Sequence, residues 1–576
     1  MEGQWQWRAN GNGGPKQGKV ACADTDTRAV EELMRKQRVK GETSSWLPGY
    51  QTELQAVRDR RLERLSAARA KQDQIERKAI GLRMILEGKK DGRRKGRLIL
   101  QGFREPRYMD GGKIDAPVAS LTSIRTLLFM AGMIGDIVSS IDGSTAFLQA
   151  DEYGPEEPDR YVYYQPHQGA EREYYRLKGA LYGQRSASLA WHNTIAGWLK
   201  DPEVWGAGRQ FQQGSNDPCI FVNPVTGLRL VMVVDDILCR GSPEATEAFY
   251  KALMKRFDCK DPSYLSEEVP LTYVGFQVRQ EVRSGTQYIS IDQDDDIRRY
   301  LTEIEVGACA KVYNPMPDRW EIAKHPNPLT DEDASRYRAT VGSLNYYACG
   351  TRYDISYPLS RLAQYSARPT VGADRALKRV LQYLKCNATC RLIGEMHNKG
   401  DRIEVYSDSD LAGDVGGDCR SQSGSMILLN GVPVYWRSKK QPRTALSSAC
   451  AEIYALSETL KEARLFMWRA QELGMPLLPL VVQVDNTQAK SFKEGTCINS
   501  KLKGNFDMRE KWVQELRSKE DLEIKMVTSV NNVSDLLTKA HKTARYKQLM
   551  HLIRGKVVVK MNQNFAMIAL VRAVGG

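Results

Sequence analysis

Histidine is scarce in this chain: six residues in 576, none of them grouped. That argues against a zinc site built from imidazoles, and any catalytic metal is expected to be held by oxygen. The 11 cysteines are odd in number and scattered from Cys22 to Cys497, with no C-x-x-C pair. They read as free thiols of a reducing compartment rather than as a disulfide framework. No apolar run approaches the roughly 20 residues needed to cross a bilayer, so no membrane partner is expected. The start, Met1 to Lys19, lacks the apolar core of a secretory signal. A cytoplasmic location is the expectation. No glycine-rich phosphate loop and no internal repeat is present.

Acidic residues are also outnumbered. Lysine and arginine total 84 against 70 aspartates and glutamates, a net charge of +14. A basic balance points to a polyanion, with nucleic acid the first candidate, although many soluble proteins are modestly basic.

Against that background the stretch "LRLVMVVDDILCRG", Leu228 to Gly241, stands out. Two apolar runs flank Asp235 and Asp236 and read as strands of a hairpin. Aspartate suits tight turns through side-chain bonds to nearby backbone, so the pair has a purely structural reading. Its chemical reading is a carboxylate site for Mg²⁺, a hard cation bound through oxygen together with substrate phosphates. A third acid is then required, and Asp142 closes the apolar strand "IVSSID". It too has a bland alternative, as a strand-end or capping residue.

Later in the chain Asp408 lies in "YSDSD" on a strand and Glu452 in "AEIYAL" on a long amphipathic helix. Asp485 ends the strand "VQVD", and Asp535 opens "VSDLL". Asp485 and Asp535 could each be caps. Four acids on a strand–helix–strand–helix order within about 140 residues fit a compact α/β domain. Neighbouring like charges disfavour joint ionisation, so this quartet is expected to need cations.

The coarse pattern gives hairpins at "GLRMILEGKKDGRRKGRLILQGF" and "YVGFQVRQEVRSGTQYISI", the latter turning at Ser284-Gly285. "SIRTLLFMAGMIG" and "SLAWHNTIAGWLK" read as helices, as does most of 310–400. Residues Arg58 to Lys78 form a charged, helix-prone run without a strong apolar face, read as a solvated helix or linker, with an RNA-contacting arm as the alternative.

Taken in order, "KGRLILQGF", "IDGSTAFLQAD", "RLKGALYGQRSASLAWH", "VVDDIL", "YVGFQV", "YRATVGSLNYYACGTRYDISYPLSRLAQY", "VYSDSDLAGD", "SSACAEIYALSE", "VDNTQAK" and "VSDLLTKA" resemble the reverse transcriptase–ribonuclease H region of a copia-type long-terminal-repeat retrotransposon Pol polyprotein, over about residues 80 to 550. The resemblance implies an α/β and α+β multidomain fold: a right-hand polymerase of fingers, palm and thumb, followed by a ribonuclease H-like α/β domain. The expected spans are a Gly-rich start with a basic helical or linker region over 1–78, fingers and palm over 79–310, and thumb or connection helices over 311–400. A ribonuclease H-like domain over 401–545 and a C-terminal tail over 546–576 complete them.

The resemblance also implies roles. Asp142, Asp235 and Asp236 would be the polymerase metal carboxylates, and Asp408, Glu452, Asp485 and Asp535 the nuclease ones, with two Mg²⁺ (or Mn²⁺) ions per active site. Arg97 would contact the triphosphate. Phe147 would lie under the sugar and exclude a 2′-hydroxyl, its alternative being an ordinary core aromatic. Implied partners are an RNA template, a DNA or tRNA primer, RNA–DNA hybrid and deoxynucleoside triphosphates. The implied setting is cytoplasmic virus-like particles, with nuclear entry of product complexes. No protease, integrase or capsid segment is recognisable upstream, which leads to the expectation of a processed fragment, a piece of a longer reading frame or a decaying copy.

The chain departs from the family pattern at several places. Val233 stands where tyrosine usually precedes "VDD", and Gln184, Ser186, Ser188 and Leu189 alter the motif near "LYGLKQAPRAW". Asn505 and Lys511 replace two histidines of the nuclease. A non-catalytic relic that still binds nucleic acid is therefore the alternative expectation.

Overall fold

The computed structural model describes residues 25–554, apart from 89–91, 108–113, 134, 308–309, 318–321, 323–324, 398–399, 414–417, 477–479, 486–508, 510, 514 and 517–521. The chain divides into two compact units. One comprises Met1–Val118, Gly143–Gln210 and Ala252–Lys260; the other comprises Ala119–Asp142, Phe211–Lys251 and Asp261–Gly576.

The first unit is built on a five-stranded sheet in the order Leu62–Arg64, Glu173–Leu177, Arg160–Tyr164, Ile80–Gly88, Arg94–Leu100. The predicted hairpin is present, its arms paired antiparallel from Leu82↔Leu100 to Gly88↔Arg94. Two helices, Thr25–Gln37 and Thr43–Arg61, bury Ala29, Val30, Trp46, Tyr50, Leu54 and Val57 against Leu82, Met84, Leu98 and Leu100 of this sheet. Within the span read as a Gly-rich start with a basic helical or linker region, 1–78, two helices thus pack on the sheet. Trp46, Tyr50, Leu54 and Val57 recur every three or four residues and make an apolar stripe on one helix face. The charged run from Arg58 begins where that stripe ends. From there the chain forms the strand Leu62–Arg64 and two short helices, Ala67–Gln72 and Ile75–Lys78, with Leu65, Ala70 and Ile75 as a small core of their own.

Among the described residues the second unit holds three sheets. The first has six strands, ordered Ser263–Tyr264, Ile137–Asp142, Asp236–Gly241, Arg229–Val233, Ile220–Val222, Gln212–Gln213. A four-stranded sheet follows. In it Phe276–Arg283 and Thr286–Asp292 form the expected hairpin, with Ser284 at φ 50° and Gly285 at φ 79°. Positive φ at both central residues matches the right-handed twist of the strands. Helices Asp331–Gly350, Ser356–Ala363 and Val371–Cys386 occupy the region expected to be helical.

The last sheet is ordered Val432–Lys440, Gln422–Leu429, Ile403–Asp410, Leu480–Val484, Leu522–Met526, antiparallel over its first three strands and parallel thereafter. The helix Ser448–Glu472 supplies the crossover that a parallel connection requires. With its strands numbered along the chain the order is 3-2-1-4-5, the mixed α/β arrangement expected of a ribonuclease H-like domain. A helix over residues 543–554 buries Tyr546, Leu549, Met550 and Ile553, so the span read as a tail begins inside packed structure. No described helix is long and apolar enough to cross a membrane.

Candidate active sites

The Asp-Asp stretch is a hairpin with the shortest common turn. Val233 pairs with Asp236, which leaves Val234 and Asp235 as a two-residue connection. Val234 sits at φ 57°. A β-branched residue in the left-handed region is unusual, and such conformations cost about 1–3 kcal/mol each. On the other side Asp236 pairs with Asp142 of the strand Ile137–Asp142. Directly opposite residues of an antiparallel pair project to the same face, their Cβ atoms roughly 5 Å apart. Asp142 and Asp236 therefore present their carboxylates side by side, with Asp235 on the adjoining turn. All three are half-buried.

Beneath the hairpin lies a residue that carries no signal in the sequence. The Tyr273 hydroxyl donates to the carbonyl of Val231 at 3.0 Å and to that of Asp236 at 3.3 Å. Burial, and then the Asp236 charge, hold its phenol well above the usual range. Tyr273 closes the strand Leu271–Tyr273 and enters a turn at Val274 and Gly275, φ 46° and 82°. A Cβ on Gly275 would lie 2.0 Å from the Tyr346 hydroxyl, so only glycine fits there. Arg240, on the strand that Asp236 begins, is fully buried. It donates to the carbonyls of Leu127, Leu128 and Met130 at 2.8 to 3.0 Å and of Met396 at 2.7 Å. Burial brings its guanidinium down to about 10.

In the first unit, Arg97 and Phe147 meet on one ring. Phe147 packs on Tyr182 with centroids 5.2 Å apart, and the Arg97 guanidinium carbon lies 5.5 Å from the same ring centre. Glu87 pairs with Arg97 Nε at 3.2 Å. Tyr182 lies within "LYGQRSASLAW" but was not among the predicted site residues; Arg97 and Phe147 stand far apart in the chain and give no local hint of a shared partner. The departure at Gln184 is a built-in one: it is buried and bonded to Tyr153, Glu105 and the Leu181 amide.

The later acids converge from four elements. Asp408 is on the strand Ile403–Asp410, Glu452 in the first turns of Ser448–Glu472, Asp485 directly after Leu480–Val484, and Asp535 in the 3-10 turn Val533–Leu537. Asp408 is 3% exposed and Asp535 7%. Asn532 ties the turn to the strand by donating to the Ser407 carbonyl at 3.2 Å. Thr538 Oγ1 donates to Asp408 Oδ2 at 2.5 Å. A Cβ on Gly424, in the neighbouring strand, would meet Thr538 Cγ2 at 2.7 Å and the Ser534 carbonyl at 2.8 Å, so glycine lets the turn come this close.

Burial, reinforced by the charges of Asp535 and Asp485, pushes the Asp408 carboxyl up to about 7. Burial and Asp408 push Glu452 up to about 8. Two cations answer this crowding, and neither was anticipated. Lys539 Nζ lies 2.6 Å from Asp535 Oδ1, and Arg545 Nη2 lies 2.9 Å from Oδ2. Although burial works against it, the charges of Asp408 and Asp535 push the Lys539 ammonium up to about 12. Among the described residues no group of three or more His, Cys, Asp or Glu side chains is drawn together closely enough to hold a metal ion. The donor set still fits a hard divalent cation: it is all oxygen, and two of the acids resist ionising together without added positive charge. Of the two departures in this domain, Lys511 lies on a helical stretch and Asn505 falls outside the described residues.

Residues 71–318 match the reverse transcriptase (RNA-dependent DNA polymerase) family. The chain is 27% identical over 81% of its length to the retrovirus-related Pol polyprotein from transposon TNT 1-94 of Nicotiana tabacum, covering 35% of that protein. It is 29% identical over 80% of its length to the Pol polyprotein from transposon RE2 of Arabidopsis thaliana, covering 31%. The chain thus spans about a third of the length of these curated relatives. Among solved structures, a foamy viral protease–reverse transcriptase in complex with double-stranded DNA aligns over 90% of this chain and 84% of its own, at 11% identity and a TM-score of 0.44. By sequence, the chain is similar to the Pol polyproteins of copia-type long-terminal-repeat retrotransposons, and its residues 71–318 match the reverse transcriptase family.

Proposed function

We propose that the chain is an RNA-directed DNA polymerase with a linked ribonuclease H, fingers and palm spanning 79–310, thumb or connection helices 311–400 and the nuclease 401–545. The observation that carries this reading is the register that sets Asp142 opposite Asp236 with Asp235 on the turn between strands, within the residues that match the reverse transcriptase family. Asp142, Asp235 and Asp236 would hold Mg²⁺ or Mn²⁺, as would Asp408, Glu452, Asp485 and Asp535. When bound, a pair of such ions activates the attacking oxygen and offsets charge on the phosphate in flight.

The chain's own residues do the rest. The two-residue turn and Tyr273 fix where Asp235 and Asp236 stand. Arg97 offers a planar set of donors to triphosphate oxygens. Phe147, braced by Tyr182, presents a flat apolar face that a 2′-hydroxyl would crowd. In the nuclease, Thr538 orients Asp408, while Lys539 and Arg545 hold the Asp535 carboxylate in place. Template, primer, hybrid and deoxynucleotides are the proposed partners, and cytoplasmic particles the proposed setting. Binding by a chain of net charge +14 is expected to fall steeply with salt.

Asp142→Asn and Asp408→Asn test the division of labour. The first is expected to abolish primer extension and spare cleavage of RNA in a hybrid, and the second to do the reverse. If neither activity is present in the folded parent, the non-catalytic relic suggested by Val233 and Ser188 is the better account.

A further inference from the structure

The second unit contains a cavity of about 620 Å³ whose lining includes none of the seven carboxylates assigned above. It opens between the end of the helix Val371–Cys386 and the helix over residues 543–554. Its basic lining residues are Lys385, Lys547, His551 and Arg554, and among the described residues no aspartate or glutamate lines it. A wall of one sign, with no acid to balance it, is an electrostatic footprint for an anion.

The floor is rigid. Tyr383 donates to Asp354 Oδ2 at 2.7 Å, and the Tyr546 hydroxyl donates to that of Tyr383 at 2.9 Å. Asp354 itself is held by Arg352 through two bonds of 2.9 and 2.7 Å, so its charge is neutralised behind the floor. The rim carries Tyr313, 44% exposed, with Lys547 Nζ 4.3 Å and Lys311 Nζ 5.4 Å from its ring centre. Both ammonium groups lie over this ring, so a base that stacks on Tyr313 takes the place of one of them and leaves it to pair with the phosphate. The volume lies in the range of small-ligand sites.

We propose that this cavity receives one nucleotide unit, its phosphate between Lys547, His551 and Arg554 and its base against Tyr313. The unit is supplied either by a free nucleotide or by a nucleic-acid strand passing outside the catalytic carboxylates. The site does not depend on the polymerase reading, because it needs no metal and no turnover.

The test uses the full chain in EDTA, so that divalent ions contribute nothing. Anisotropy of a labelled single-stranded deoxythymidine oligonucleotide is followed against salt for the parent, for the paired substitution Lys547→Glu with His551→Glu, and for Tyr313→Ala. The charge-reversed variant is expected to bind about tenfold more weakly. Its salt dependence should be shallower by about 0.7 in log–log slope for each phosphate that is no longer neutralised. Tyr313→Ala is expected to weaken binding with the slope unchanged. Competition by free thymidine triphosphate would identify a mononucleotide as occupant, and its failure to compete would identify a strand. Variants that melt like the parent and bind the oligonucleotide with parental affinity and slope would overturn the proposal.

Discussion

Asp408 and Glu452 hold protons that ordinary carboxylates would have lost, and this has a sign. Their folded values, about 7 and about 8, lie above those of the unfolded chain. The folded state therefore favours the protonated forms. Stability from these groups is complete below about pH 4 and is lost as pH rises toward 7 and 8. In EDTA, the melting temperature of the parent should fall between pH 5 and pH 8, and Asp408→Asn should flatten that fall. Added Mg²⁺ should restore the parent at pH 8. A parent whose melting is insensitive to pH over this window would refute the crowding of these acids. Val234 gives a second residue-scale prediction. At φ 57° its β-branch is strained, so Val234→Gly should leave stability within about 1 kcal/mol of the parent or raise it, since relieved strain offsets the entropy of glycine. The freed turn should extend primers more slowly. The elements that carry the acids were legible because each acid lies at or near the end of a strongly patterned segment. Their cationic and aromatic partners were not. Lys539 and Arg545 differ in no local way from other basic residues, and Tyr182 and Tyr273 acquire their roles only through contacts made by distant strands.

Elements were readable wherever periodicity was pure. The hairpin at Ser284-Gly285, the helix Ala187–Lys200 and the strand Ile137–Asp142 all lie where apolar spacing and turn residues put them. The solvated reading of Arg58 to Lys78 misses the small core of Leu65, Ala70 and Ile75, because charged residues surround each of the three. What spacing cannot reveal is how the ends of elements are tied. The Glu472 carboxylate, at the end of the long helix Ser448–Glu472, accepts from the amides of Ser215, Asn216 and Asp217 at 2.7, 2.6 and 3.2 Å and from Asn216 Nδ2 at 2.8 Å. Nearby, Arg229 Nε donates to the Leu473 carbonyl at 2.7 Å. Charge-assisted bonds of this kind are the strong ones. Glu472→Ala should cost about 2–4 kcal/mol, measured by denaturant unfolding, because several amides lose their acceptor together. A loss below about 0.5 kcal/mol, the range of ordinary surface changes, would mean that water replaces the carboxylate without penalty.

Across the whole molecule, both sets of carboxylates fall in the same compact unit, which also contains the helices between them. Arg125 joins its parts. From the helix Leu121–Phe129 it donates to the carbonyls of Cys349 and Gly350, and at 3.0 Å to that of Val434, with its guanidinium 4.0 Å from the centre of the Trp436 ring. Burial pulls it down to about 9, and it stays charged at neutral pH. Arg125→Leu leaves three carbonyls without their donor and should cost about 3–5 kcal/mol. It should also split the melting of this unit into two transitions, whereas the parent unit melts in one. The mixed α/β and α+β character of these parts was legible because a long series of segments occurs in family order. Their joining into one unit was not, since it depends on backbone carbonyls that carry no sequence identity.

The most direct test of the central claim is primer extension on an RNA template with Mg²⁺ or Mn²⁺, comparing the purified chain with its Asp235→Asn variant. The account predicts extension by the parent and none by the variant, with both binding hybrid equally at low salt. A folded parent that binds hybrid and adds no nucleotide, even after Val233→Tyr and Ser188→Pro, would contradict it.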